Sequence, residues 1–357
     1  MKEKIKNIIV SLLFSSFIIT IFIINLIKKD DEISISERRK LEQFPDISTK
    51  TVFDGTFFKK FDSYVNDQFI KRDDLRLIKA NIELKTRGNY KNLYIYNGYI
   101  IEQLYPLNEK SVLNFTNKIK EIKDLYLKNN NIYISVVPDK NYFVNDNNLK
   151  LDYDKLINIV NSEIDAKYID LFNILSLDNY YITDSHWKEE TLREIIKKFS
   201  KEMDFDVNNN YIEKEITSFK GVYASRLPIN VKEDKIKILI NDTINSSIVY
   251  NYETGKNEGI YNLNKSNSLD KYDIYLSGPV SLLKITTNNQ SNKRLIIFRD
   301  SYGSSITPLF TEGYKEIIVV DTRYISPKLL ANYIDFNSAD VLFLYSTSLI
   351  NNSYTLK

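Results

Sequence analysis

The sequence predicts an α/β fold: a mostly parallel sheet covered by helices, with an inserted β-rich subdomain and a membrane helix at the amino terminus. Three observations carry this. From about residue 108 the apolar pattern alternates between helical and strand periodicity. Several of the strands are continuous apolar runs, as expected of strands buried on both faces. Residues 205–290 break that rhythm with Asn-rich turns and short alternating strands.

The first element is Ile8–Ile27, uncharged throughout and dominated by Ile, Leu and Phe. Such a run reaches about 30 Å as a helix, the depth of a bilayer's hydrocarbon core. Lys2, Lys4 and Lys6 precede it, while Lys28 and Lys29 are followed at once by Asp30, Asp31 and Glu32. This bias predicts a single-pass protein of the cell membrane, amino terminus in the cytoplasm and the bulk of the chain outside. A cleaved signal peptide is the competing reading. No small-x-small pair follows the apolar run, which favours an uncleaved anchor.

Five segments follow: a cytoplasmic stub and anchor over 1–29, a tether and helical segment over 30–90, a first half-domain over 91–204, the β-rich insertion over 205–290, and a second half-domain over 291–357. Within Gly55–Arg87, Phe57, Phe58, Phe61, Tyr64 and Phe69 recur at near-helical spacing and predict an amphipathic helix packed on the main body. Asn97-Gly98 between Leu93–Tyr96 and Tyr99–Ile101 predicts a hairpin. Helices are expected around 113–125, 156–160 and 191–203, and strands at 132–137, 168–171, 236–240, 295–298, 317–320 and 341–345.

Composition narrows the chemistry. A net charge of +2 with interleaved signs offers no basic stripe for nucleic acid. The absence of cysteine excludes thiol nucleophiles, disulfides and Cys-ligated metals, and one histidine, His186, excludes a two-His zinc site. No Gly-rich phosphate loop follows any strand, so no cofactor is expected. The abundance of Tyr, Ile, Asn and Lys reads first as an AT-rich coding bias, and so is no evidence of a sugar-binding surface.

Two motifs carry chemistry. Leu295–Phe298 runs into Arg299-Asp300-Ser301-Tyr302-Gly303, a strand-turn-helix junction that sets a serine hydroxyl at the carboxyl end of a strand. Backbone N–H groups at such a turn can stabilise an oxyanion. The plainer reading is that Asp300 and Ser301 only cap a helix. In Thr183-Asp184-Ser185-His186-Trp187, the carboxylate two residues before the imidazole can hold one ring nitrogen, leaving the other to take a serine proton. Here the plainer reading is a surface histidine beside an aromatic residue.

Asp184-Ser185-His186-Trp187 resembles the signature of the DHHW family of Gram-positive exported proteins. It is also similar to the Asp-x-His-Trp element of alginate O-acetyltransferase relatives, a permuted branch of the SGNH hydrolase superfamily. Further segments match in order: Ser36–Leu41 with Phe44-Pro45, Asn66–Phe69 with Arg72-Asp73, Pro138-Asp139-Lys140, Phe219-Lys220-Gly221, Arg299–Tyr302 and Asp321–Tyr324. The resemblance implies an SGNH-hydrolase-like three-layer sandwich with Ser301 as nucleophile, His186 as base and Asp184 as its orienter. It also implies Arg323 in the pocket, with Trp187, Tyr302, Lys140 and Gly221 as further substrate or oxyanion candidates and no metal. Ser185 stands in place of the first His of the signature, and Arg299 in place of the Gly of Gly-Asp-Ser.

The function so implied is O-acetylation of an extracellular or cell-wall polysaccharide, with a multispanning membrane acyltransferase as acetyl-donating partner. An acetylesterase with the same triad and a non-catalytic envelope binding protein are the alternatives.

Overall fold

The apolar runs form the centre of one eight-stranded sheet. In this computed structural model residues 2–146 and 148–357 are described. The strands are β1 (Ile132–Val137), β2 (Lys167–Tyr168), β3 (Ile248–Asn251), β4 (Lys256–Glu258), β5 (Leu282–Thr286), β6 (Arg294–Arg299), β7 (Glu316–Val320) and β8 (Ala339–Ser346). Their spatial order is β4-β3-β5-β7-β6-β8-β1-β2. The run from β7 to β2 is parallel throughout, and β4, β3 and β5 extend it antiparallel beside β7.

Alternation along each strand serves two cores. Leu295, Ile297, Val319 and Leu342 face one layer, and Ile296, Phe298, Val320 and Phe343 the other. The second layer is covered by Val112, Phe115, Ile119 and Ile122 of Glu109–Tyr126 and by Leu156 and Val160 of Tyr153–Glu163. Ile195, Ile196, Phe199 and Met203 of Arg193–Met203 cover the first. With both faces dry, the strands need no polar side, hence their unbroken apolar runs. This is a three-layer α/β sandwich.

Residues 205–290 differ from the expectation of one separate insertion. Ile212–Phe219 and Asp234–Ile240 do pair as a hairpin outside the main sheet, on a small core with Tyr181, Tyr272 and Tyr275. The later strands β3, β4 and β5 instead complete the central sheet. They look detached in sequence because β3, next to the margin of the sheet, buries only alternate residues, Val249 and Asn251. The strand expected at 168–171 shrinks to Lys167–Tyr168.

The chain divides into two compact units, one running up to Tyr90 and including Ser225–Asn230, the other Lys91–Ala224 with Val231–Lys357. The first unit begins with Lys2–Ile27, a helix long and apolar enough to cross a membrane and with no buried residue. The single amphipathic helix expected after Gly55 is two, Thr56–Gln68 and Arg72–Arg87, broken where Lys71 adopts φ 57°. Its aromatic residues are not buried as that expectation required: Phe58 is 60% and Phe61 37% exposed.

Three sequence segments of this unit meet in one ion-pair network. Arg39 binds Asp67 with two donors at 2.7 and 2.6 Å, while Glu37 lies 2.9 Å from Arg39 and 2.5 Å from Arg72. Gln68 closes the clamp through its amide to the Asp31 and Glu42 carbonyls.

Candidate active site

Asp184 and His186 sit in a narrow loop held from every side. Tyr180 bridges Trp187 across it, and the Tyr181 N–H donates to the His186 carbonyl. Asp234 accepts from the Ile182 and Thr183 N–H groups, both at 2.7 Å, and from the Thr183 hydroxyl. Lys140 donates to the Tyr181 and Ile182 carbonyls at 2.9 and 3.2 Å. The loop conformation is thus imposed by partners far apart in sequence.

Ser301 stands two residues past the end of β6 and adopts αR geometry (φ −61°, ψ −23°) at the start of the short helix Tyr302–Ile306. Asp300 pins this turn to the end of β8. Its Oδ2 accepts from the Ser346 N–H and hydroxyl at 2.8 and 2.6 Å, and its Oδ1 from the Tyr302 N–H at 3.0 Å.

These two anchored turns bring the lone imidazole to the serine. The Ser301 hydroxyl lies 2.7 Å from His186 Nε2, and His186 Nδ1 lies 2.5 Å from Asp184 Oδ1. Burial by itself raises the Asp184 pKa. The positive charge available on His186 and hydrogen bonds from its ring, the Val222 N–H and the His186 N–H outweigh that and hold it well below the usual carboxylate range. An ionised carboxylate only accepts, so Nδ1 carries the proton and Nε2 presents its lone pair to the Ser301 hydroxyl. The imidazole remains reachable, with 13% of its side-chain surface exposed, while Asp184 is buried.

Gly221 has a structural reason to be glycine. A Cβ there would stand 2.2 Å from Asp184 Oδ2. Its absence lets the backbone cross the carboxylate so that the Val222 N–H donates to Oδ2 at 2.7 Å. The Gly221 N–H itself is spent on the Thr183 hydroxyl at 2.9 Å, so it is not an oxyanion donor. The Tyr302 and Gly303 N–H groups are likewise committed to Asp300. Among the described residues the Ser301 N–H has no hydrogen-bond acceptor.

The other candidates take supporting places. Trp187 is fully buried, its indole N–H donating to the Tyr302 carbonyl and the Ser305 hydroxyl, so it packs beneath the site and has no face for a sugar ring. Tyr302 is 5% exposed and donates to the Ser185 carbonyl at 2.6 Å, bracing the loop rather than lining a pocket. Lys140 is buried behind the loop, its pKa lowered to about 7 by burial, against the pull of Asp184, Asp234 and Glu102. Arg323 lies beyond β7 with Nε and Nη2 on Asp321 at 2.9 and 2.6 Å, so most of its fork is already engaged. Arg299 is also buried and reaches Asp321, at 3.3 Å, and the Gly278 carbonyl. Among the described residues no group of three His, Asp or Glu side chains is arranged to hold a metal.

Sequence reading missed Tyr272, Asp234 and Val222. The Tyr272 ring lies flat on His186, centroids 3.9 Å apart and planes 9° from parallel, and its hydroxyl meets Ser305 at 2.7 Å. Nothing distinguishes it in sequence among 26 tyrosines.

No protein-family model and no curated protein matches the sequence. Among solved structures, a DHHW family protein from Eubacterium siraeum superposes with a TM-score of 0.58 at 22% identity, over 74% of this chain and 93% of its own. The chain has the fold of that DHHW family protein. PatB1 of Bacillus cereus, solved with a sulfonyl adduct, shares this DHHW-type fold at a TM-score of 0.56 and 16% identity, over 72% of this chain and 95% of PatB1. The O-acetyltransferase domain of Pseudomonas putida AlgJ matches at a TM-score of 0.47 and 9% identity, over 73% of this chain and 92% of that domain. The resemblance read from the Asp-x-His-Trp motif therefore extends to a DHHW-type fold.

Proposed function

We propose that this chain is an extracytoplasmic serine acyltransferase that acetylates hydroxyls of an extracellular or cell-wall polysaccharide. The observation that carries the proposal is the continuous relay from Asp184 through His186 to Ser301, with a 2.7 Å approach of Nε2 to the hydroxyl. A serine hydroxyl is a poor nucleophile until a neighbouring base takes its proton, and this relay is the arrangement that does so.

In the first half-reaction the Ser301 oxygen attacks the acetyl carbonyl while its proton passes to His186 Nε2. The bond to the donor breaks, the proton follows the leaving group, and an acetyl ester remains on Ser301. In the second half-reaction a sugar hydroxyl attacks that ester, its proton goes to Nε2, and the Ser301 hydroxyl is restored as the ester moves to the sugar. Asp184 keeps Nδ1 protonated and offsets the charge on the imidazolium. The Ser301 N–H supports the transient oxyanion.

The acetyl group and glycan acceptor follow from the sequence resemblance. An amino terminus in the cytoplasm and a multispanning membrane acyltransferase as donor belong to the same proposal, since cytosolic thioesters do not reach an exported serine. The test is covalent labelling of the detergent-solubilised full chain with a fluorophosphonate or sulfonyl fluoride, followed by acetyl transfer from an activated ester to cell-wall oligosaccharide. Ser301 is expected to be modified, with labelling lost in His186→Ala and acetyl recovered on the sugar. An unmodified Ser301 overturns the enzyme; modification with acetate release alone makes it an esterase.

A further inference from the structure

The helix Thr56–Gln68 carries a cluster of rings that the fold does not bury. Phe57 stacks on Phe61 at 5.8 Å, Phe58 meets Phe57 at 5.4 Å, and Phe44 meets Phe61 and Tyr64 at 6.0 and 5.4 Å. The rings touch one another and still face outward: Phe44 is 53%, Phe58 60% and nearby Phe53 86% exposed. An exposed contiguous aromatic surface of this kind marks an interaction site.

Hydrogen bonds fix where this surface sits. The Ile70 N–H donates to the side-chain oxygen of Asn25, in the last turn of Lys2–Ile27, at 2.8 Å. Gln68 exchanges two bonds with the Asp31 backbone, both at 2.9 Å, and the Tyr64 hydroxyl donates to Asp30 at 3.2 Å. The helix is therefore bolted by its carboxyl end to the point where the apolar span stops. Phe57 is only about 10 Å further along its axis than Tyr64.

We infer that this aromatic face lies in the interfacial layer of the bilayer that Lys2–Ile27 spans, making residues 44–68 a second, peripheral membrane contact. The inference rests on reading Lys2–Ile27 as a membrane span. The interfacial layer is roughly 5–8 Å deep on each side of the hydrocarbon, and the carboxyl end of the helix, tied to Asn25, starts from it. Phe and Tyr rings gain by immersion at that depth, and Lys59 and Lys60, both exposed, lie within reach of lipid phosphates. Among the described residues one helix is long and apolar enough to cross a bilayer; a lone anchor leaves free rotation about its axis, and a second contact removes it.

The chain contains no cysteine, so single cysteines can carry nitroxide labels without background. The full chain in phosphatidylcholine–phosphatidylglycerol nanodiscs would be labelled at Phe53→Cys, Phe58→Cys, Ile18→Cys within the span and Thr254→Cys on an exposed turn. Collision with oxygen and with a water-soluble nickel chelate then reports depth. Labels at 53 and 58 are expected to read between those at 18 and 254, on the oxygen-rich side. If 18 is deep while 53 and 58 match 254, the inference is overturned and the anchor stands. If 53 and 58 are immobile and shielded from both agents, a protein or a second copy covers the face and the inference is again overturned. A water-exposed reading at 18 refutes the anchor, and the inference with it.

Discussion

His186 is stacked on Tyr272: its imidazole lies 3.9 Å from that ring, with planes only 9° apart. Tyr272 is itself buried and fixed through Ser305, which also receives the Trp187 indole N–H. The orientation of the base thus depends on a residue that makes no hydrogen bond to it.

Tyr272→Phe keeps the stacking ring and loses only the hydroxyl bond, so the rate of fluorophosphonate labelling should fall by less than about threefold. Tyr272→Ala frees the imidazole to tilt, and a misplacement near 1 Å costs about a hundredfold. It also opens a core cavity worth about 3–5 kcal/mol. Labelling rates measured alongside thermal unfolding separate the two effects, and equal labelling by the Ala variant would refute a positioning role.

Gly221→Ala places a methyl group where Asp184 Oδ2 now sits, 2.2 Å away. The carboxylate must move off the Val222 N–H and away from His186 Nδ1. The expected result is a folded protein whose Ser301 labels at least about a hundredfold more slowly, comparable to Asp184→Asn. Wild-type labelling of Gly221→Ala would show that the close approach has no consequence.

Lys140 gives stability a pH dependence. Its folded pKa is lowered to about 7 from 10.5 because burial disfavours the ammonium. Between those two values the unfolded chain holds a proton that the folded chain has released, so stability rises with pH there and levels off below about 7. Urea midpoints should climb from pH 7 to pH 9 in the wild type and flatten in Lys140→Met, whatever the variant's absolute stability. An unchanged slope in Lys140→Met removes Lys140 as the cause.

Arg39 holds Asp67 by two donors while Asp67 also accepts the Glu42 N–H at 2.9 Å. Its hydrogen bonds to Arg39, and the nearby guanidinium charges, hold the Asp67 pKa low against partial burial. Arg39→Ala should destabilise the amino-terminal unit by about 1–3 kcal/mol, since it leaves a half-buried carboxylate short of partners. Arg39→Lys should recover only part of this, because an ammonium cannot make the paired contact. Proteolysis within 30–90 reads the effect directly, and indifference to the Ala change would mean the pair contributes nothing.

Much of the fold was legible because burial writes a period into sequence. The parallel strands stand out by their unbroken apolar runs, 295–298, 317–320 and 341–345, and Asn97-Gly98 announces its hairpin, where both residues take positive φ, 48° and 83°. Strands β3 and β4 lack that signal: β3 buries only Val249 and Asn251, and β4, at the sheet edge, is Lys256-Asn257-Glu258. Trp187 is a substrate candidate in the sequence because an aromatic residue beside a motif has no sequence mark of burial; Ser305 and the Tyr302 carbonyl, from the other half of the chain, take its N–H. Gly221 is an oxyanion candidate in the sequence, whereas in the structure its missing side chain leaves room for the Asp184 carboxylate.

The sequence by itself determined a membrane-length apolar helix, an α/β layering, and a chemistry limited to one imidazole and no thiol, because composition and periodicity are local properties. Only the tertiary structure decided that the Ser301 hydroxyl meets His186 Nε2 at 2.7 Å, that Tyr272 is the ring beneath the imidazole, and that the aromatic helix is tied to Asn25. Each of these joins residues distant along the chain, and such distances are set by how the packed layers close, which no local pattern encodes.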